Sequence, residues 1–297
     1  MIDLVMYSGG IGSWYSAFLL KQRVANLRLL FTDTMIEDED LYRFLIESAG
    51  RLFDVEVGDL LLRCYTIPDV KEEKKRTAYL ESLAFDTNYR IPQLAWISDG
   101  RTPWEVFKEV RYLGNSRIAP CSHKLKQEAA RAYVETFYKP DEVTLYLGIH
   151  YSERERLHGD SKKKGAAKNW LPYKASSVLD DPSCVGTMGM LEELERQGIK
   201  APRLYSLGFS HNNCGGFCVR AGQGHFATLL ETMPDRFAYH AQKEQELAKH
   251  LRKPVAMLRQ QRKGTVFPLT LVELARDVNG CDRADIGGCG CFVDSEE

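Results

Sequence analysis

The chain has 297 residues, with 40 Lys and Arg against 41 Asp and Glu and a formal charge of −1; it lacks the basic excess of a protein that holds nucleic acid by bulk electrostatics, so only a local basic patch remains open. A hydrophobic share of 44% with 10% aromatics supplies a core for one large domain or two modest ones and excludes a mainly disordered chain. No run approaches the ~18 consecutive apolar residues of a membrane span, and Met1-Ile2-Asp3-Leu4-Val5 carries no basic leader, so the expected location is cytoplasmic.

Leu4-Val5-Met6-Tyr7 reads as a short apolar strand and Ser8-Gly9-Gly10-Ile11-Gly12-Ser13 as a glycine-rich turn. Residues 14–21 follow with Trp14, Ala17, Phe18 and Leu20 at helical spacing. A second strand over 27–31 ends at Thr32-Asp33-Thr34, and an amphipathic helix follows over 37–52. Leu60-Leu61-Leu62 and Tyr65-Thr66-Ile67 read as strand-like, whereas Thr102-Pro103-Trp104 opens a helix with proline in its first turn. A helix over 124–138 and a buried strand over 143–149 come next, then a polar, basic loop over 158–169 that includes Lys162-Lys163-Lys164. The helix over 188–197 is closed by Gly198. Helical patterns over 226–232, 237–251 and 269–277 lead to a Gly/Cys-rich end. Strands alternating with helices predict an α/β fold: a doubly wound, mostly parallel sheet with helices on both faces.

Between a strand and a helix, glycines let backbone N–H groups close around phosphate oxygens at the positive end of the helix, and the hydroxyls of Ser8 and Ser13 can donate to the same oxygens. The loop has neither the Gly-Lys-Ser/Thr of a Walker A motif nor a Gly-x-Gly-x-x-Gly fingerprint. A tight structural turn is the other reading of this segment.

Ser-Gly-Gly-x-x-Ser after the first strand resembles the pyrophosphate loop of the N-type ATP pyrophosphatases (adenine nucleotide alpha hydrolases). Within them, the chain resembles the phosphoadenosine-phosphosulfate (PAPS) reductase family. Thr32-Asp33-Thr34 is similar to that family's Asp-Thr segment beside the nucleotide. The run from Leu147-Gly148-Ile149-His150 to Glu153 and Arg156 resembles its Gly-Ile-Arg-x-x-Glu-Ser-x-x-Arg stretch, with Leu171-Pro172 like its Pro-Leu neighbourhood. Leu204-Tyr205, Gly208-Phe209 and Cys214 resemble its Leu-Tyr, Gly-Phe-x-Arg-x-Gly-Cys run. The matches keep their order over residues 4–220, roughly three quarters of the chain. They imply a pyrophosphatase domain over 1–220 and a helical segment with a Cys-rich tail over 221–297.

The chain departs from the pattern in three places. Gly12 stands where the loop usually has a Mg²⁺-assisting Asp, and His150 stands where the family has Arg. The reductases' Cys in a Glu-Cys-Gly-Leu-His setting has no match, which argues against a plain PAPS reductase. The resemblance implies ATP and Mg²⁺ as ligands, bound by Ser8, Gly9, Gly10, Gly12, Ser13, Asp33, Thr34, Glu153 and Arg156. It implies an enzyme that adenylates an acceptor and releases pyrophosphate.

Asp33 has an N-cap as its other reading, and Lys124 and Lys126 serve either as phosphate counter-charges or as a solvated face. Cys121 precedes a helix, where a thiol's pKa is lowered, and is a catalytic candidate with Lys124 and Asp33. Cys214-Gly215-Gly216-Phe217-Cys218 is a C-x₃-C between glycines, and thiolates suit Zn²⁺ or iron–sulfur. With Cys121 and one of Cys289 and Cys291, taken as Cys291, these residues form a candidate metal set. Three thiolates with one open iron would suit a sulfur-transfer 4Fe-4S cluster, as in thiolating members of the superfamily, and four would suit a structural cluster or Zn²⁺. Reduced, partly buried thiols are the alternative, and Cys64, Cys184 and Cys281 read as packing residues. Two other functions stay open: a sulfonucleotide reductase using Cys289 or Cys291, and a non-catalytic nucleotide sensor. The acceptor is unassigned, with a nucleotide or nucleic acid allowed, as is a homo-oligomer.

Overall fold

The apolar residues of the first strands alternate, and that alternation decides which layer each one enters. In β1 (Ile2–Met6) Val5 joins one core while Leu4 and Met6 join the core behind the sheet. In β2 (Leu27–Asp33) Leu27, Leu29 and Phe31 face the first core and Leu30 the second, as a period of two requires. With β3 (Leu94–Ser98), β4 (Val143–Tyr146) and β5 (Lys174–Ser176) these strands form a parallel sheet of order β3-β2-β1-β4-β5. The computed structural model describes residues 1–115, 118–159, 164–262 and 264–287.

The helices Ile11–Lys21 and Glu39–Phe53 cover one face through Trp14, Leu41 and Phe44; Ala129–Phe137 covers the other through Ala130 and Val134. The fold is therefore the doubly wound α/β arrangement that the alternating pattern predicts. A third core joins Trp104 and Phe107 to Phe217, Phe226, Phe237 and Leu271, so the C-terminal helices pack against elements from the first half of the chain.

Three local readings change. Leu60-Leu61-Leu62 belongs to the helix Gly58–Cys64, with Leu60 and Cys64 buried one turn apart, and Tyr65-Thr66 forms the turn after it. The run of three leucines satisfies either periodicity, and its ion pairs with the helix Glu73–Arg90 decide for the helix: Arg63 with Asp86, and Arg90 with Asp59 at 3.0 Å. The basic loop includes a short helix, Ala166–Asn169, while Lys162 and Lys163 lie outside the described residues. Finally, β6 (Leu258–Arg262) and β7 (Thr265–Leu269) form an antiparallel hairpin before the helix Leu271–Arg276.

Glu244 ties this hairpin down. It is buried, and its two carboxylate oxygens accept from Met257 N and Leu271 N, each at 2.8 Å, where the chain enters and leaves the open end of the hairpin. Burial lifts the carboxyl to about 7 although both N–H donors oppose the shift. Glu244→Gln would set an amide NH₂ against one donor, and should lower stability by about 1–3 kcal/mol in a urea unfolding curve. Among the described residues no helix is long and apolar enough to cross a membrane.

Candidate nucleotide cleft and thiol cavity

Strand order reverses between β1 and β4, and ligands of open α/β sheets dock beyond the carboxyl ends of strands at such a reversal. The loop after β1 and the segment after β4 leave the sheet there. They line a cleft of about 680 Å³ through Ser8, Gly10, Gly12 and Ser13 on one side and Gly148, His150, Glu153 and Arg156 on the other.

The loop's geometry depends on its glycines. Gly9 has φ +78°, and a Cβ there would meet Leu41 Cγ at 2.8 Å. A Cβ on Gly12 would sit 2.9 Å from the Gly148 carbonyl oxygen, and one on Gly148 would sit 2.7 Å from Ser13 N. The two backbones touch, which leaves no room for the Asp of the resembled pattern. Asn212 Nδ2 donates to Gly9 O at 2.9 Å, and Ile11 N donates to Tyr205 Oη at 3.0 Å. Ser13 Oγ donates to Gly10 O at 2.8 Å. The start of the helix Ile11–Lys21 has no side-chain cap from Gly10, and Ile11 N is held by Tyr205; the next N–H groups of the first turn have no intrahelical partner. Arg156 forms an ion pair with Glu153, its neighbour in the cleft.

The second site lies at the end of β2. Cys121, Cys214 and Cys218 line a narrow cavity of about 20 Å³ together with Thr34, Ser122, Lys126 and Arg220. Lys126 Nζ, buried in a π-helical turn (His123–Glu128), donates to Glu37 Oε1 at 3.4 Å and to Cys214 Sγ at 3.6 Å. Cys214, Gly215 and Gly216 all have left-handed backbone, at φ +57°, +58° and +78°. For a cysteine this is a strained conformation of the kind found at functional sites. A Cβ on Gly215 would collide with Arg236 Nη1 and with Ile36 O. Burial pushes the Cys121 thiol up to about 11 and the Cys214 thiol well above its ordinary value, while Lys126 pulls both down. Among the described residues no three His, Cys, Asp or Glu side chains close on a point where one metal ion could sit. The three thiols therefore share a cavity without forming a single-ion site.

The segment that carries Glu37 is held by arginines. Arg76, Arg236 and Arg203 reach Glu39 at 2.7, 2.8 and 3.0 Å, and Arg203 also reaches Asp38 at 2.7 Å. Burial alone would raise the Glu39 carboxyl, but Arg236 and Arg76 override it and hold it at about 2, against an ordinary 4.5. The folded value lies below the unfolded one, so this stabilisation is complete above about pH 4.5 and is lost as pH falls toward 2. It is on the order of 3 kcal/mol. Urea midpoints should fall steeply between pH 5 and 3, and Glu39→Gln should flatten that fall.

Several expected site residues lie elsewhere. Asp33 is fully buried; it accepts from Met35 N at 2.8 Å, Tyr42 Oη at 2.9 Å and Trp96 Nε1 at 3.1 Å, and lines neither cavity. Burial, then Glu37, raises its carboxyl to about 6. It is a core hub, and neither the catalytic nor the nucleotide-binding reading fits its position. Thr34 lines the thiol cavity instead of the cleft and donates to Glu37 Oε1 at 3.0 Å. Lys124 pairs with Glu128 at 3.0 Å on the surface, as does His123 at 3.1 Å; the inward lysine is Lys126. Cys289 and Cys291 lie outside the described residues. Cys64, Cys184 and Cys281 pack against the hydrophobic cores. Asn212, Ser122 and Arg220 were not singled out in the sequence, and Tyr205 was read there only as part of the Leu-Tyr match; Asn212 and Tyr205 act through the loop 203 and 194 residues away. No family model and no curated protein matches this chain.

Proposed function

We propose that the protein binds ATP in the cleft at the β1–β4 reversal, adenylates an acceptor with release of pyrophosphate, and uses the adjoining thiol cavity to deliver sulfur to that acceptor, as a PAPS reductase-like enzyme. One observation carries the reading. Ser210, His211 and Asn213 line the cleft, and the next residue, Cys214, lines the thiol cavity. Nucleotide and sulfur chemistry would thus meet across one peptide bond.

In the reaction an acceptor oxygen bonds to the α-phosphorus, the bond from that phosphorus to the β-bridging oxygen breaks, and pyrophosphate leaves; sulfide-level sulfur would then bond to the carbon that carries the adenylated oxygen, the carbon–oxygen bond breaking and AMP leaving. Catalysis of this kind is positioning and charge neutralisation. The N–H groups of the loop and the Ser8 and Ser13 hydroxyls would hold the departing phosphates, while Arg156 offers a counter-charge. Glu153 is the carboxylate lining the cleft, and Mg²⁺ would ride with the phosphates beside it, since Asp33 is turned into the core.

Cys121, Cys214 and Cys218 are soft donors around one cavity, with Lys126 and Arg220 as counter-charges to an anionic group. Thiolates suit an iron–sulfur cluster or Zn²⁺. A cluster held by these three alone would keep one iron open to carry sulfur, whereas Cys291 as a fourth ligand would close it.

Anaerobic incubation with MgATP, sulfide and a panel of nucleosides, DNA and RNA tests this. AMP and pyrophosphate should appear in equal amounts with the true acceptor when sulfide is present. ADP and phosphate would contradict the proposal, sulfite release from PAPS would favour a reductase, and tight ATP binding with no turnover would favour a sensor.

A further inference from the structure

We infer that Asn212 is a positioning residue for the glycine-rich loop: its side chain holds the peptide between Gly9 and Gly10 so that the Gly10 N–H, and not the Gly9 carbonyl, faces the pyrophosphate portion of the nucleotide. The inference rests on the ATP reading of the cleft. Asn212 is 1% exposed, and its Nδ2 donates to Gly9 O at 2.9 Å across 203 residues of chain. This is the side chain's single hydrogen bond among the described residues, since Oδ1 has no partner there. The bond also fixes which way the amide points, because Oδ1 turned toward Gly9 O would set oxygen against oxygen.

A trans peptide carries its C=O and its N–H on opposite sides. Holding Gly9 O toward Asn212 therefore turns Gly10 N the other way. Asn212 lies outside the lining of the cleft and Gly10 within it, so the geometry aims that N–H at the ligand. Gly10 N has no partner among the described residues, whereas Ile11 N is taken by Tyr205 Oη at 3.0 Å. A clamp is needed here because the peptide stands between two glycines. Neither has a Cβ, and Gly9 has φ +78°, so rotation that presents the carbonyl instead meets little steric resistance. A carbonyl oxygen facing phosphate would repel it; an N–H facing phosphate is a preorganised donor.

The test titrates wild type, Asn212→Leu and Asn212→Asp with magnesium pyrophosphate by calorimetry, and follows each protein, labelled with ¹⁵N at glycine only, by NMR. In wild type the Gly10 amide proton should move downfield as pyrophosphate saturates the protein. Asn212→Leu keeps the size of the side chain and removes the donor. It should bind pyrophosphate at least about tenfold more weakly, without the downfield shift at Gly10 and with a melting temperature near that of wild type. Asn212→Asp sets a carboxylate against Gly9 O and should behave likewise at about pH 8, above the ordinary carboxyl range. Wild-type affinity in either folded variant overturns this inference and leaves the cleft reading standing. So does a wild-type Gly10 amide that stays in place when pyrophosphate binds, a result that needs no variant. Weakened binding with the Gly10 shift intact also overturns it, because Asn212 would then only support the fold. A wild type that binds neither pyrophosphate nor MgATP overturns both.

Discussion

Gly148→Ala should weaken MgATP binding at least tenfold in a calorimetric titration, a loss of ~1.4 kcal/mol or more, while the circular dichroism spectrum stays that of the wild type. The added Cβ would meet Ser13 N at 2.7 Å, Ser13 Cα at 2.8 Å and Gly12 C at 2.9 Å. All three are backbone atoms, so no side chain can swing aside, and overpacking of this kind costs about 1–3 kcal/mol. β4 is anchored by its register with β1 and β5 and by Leu147 N donating to Ser176 O at 2.9 Å. The glycine-rich loop is the part that yields, and with it the N–H groups that would meet phosphate. Unchanged affinity would mean that the nucleotide does not use this loop.

The second large effect concerns Lys126. Glu37 is 1% exposed and shares its Oε1 between Lys126 Nζ and the Thr34 hydroxyl. Lys126→Met leaves a buried carboxylate without its cation and should cost about 3–5 kcal/mol in guanidinium unfolding. The double variant Glu37→Gln, Lys126→Met removes both charges and should recover most of that loss. It would not restore the ammonium 3.6 Å from Cys214 Sγ, so iron retention should stay impaired after stability returns. A single variant as stable as the wild type would show that the pair does not hold this corner of the fold together.

What could be read from the sequence was local. Ser8 to Ser13 between a strand and a helix is a pattern of six consecutive residues, and it lies where the sheet order reverses. Cys214 and Cys218 were legible as a pair through their C-x₃-C spacing. Their assembly with Cys121 was not, since Cys121 meets Cys214 only when the helix from Pro120 packs beside the segment after Phe209. Asp33 misled because a carboxylate at a strand end serves equally as ligand, cap or hub. Its partners Tyr42 and Trp96 lie 9 and 63 residues away and decide for the hub. Lys124 was singled out as the catalytic lysine because both lysines open one predicted helix; the π-helical turn leaves Lys124 on the surface and Lys126 inside. In the hairpin, Gln260 and Gln261 on one strand and Pro268 on the other obscure the alternation that marks a strand.

The most direct measurement is anomalous diffraction at the iron edge from a crystal grown anaerobically with MgATP. It should place the triphosphate on Ser8 to Ser13 in the β1–β4 cleft and an iron signal among Cys121, Cys214 and Cys218. A nucleotide bound away from that loop, or a thiol cavity with no iron signal, would contradict the account.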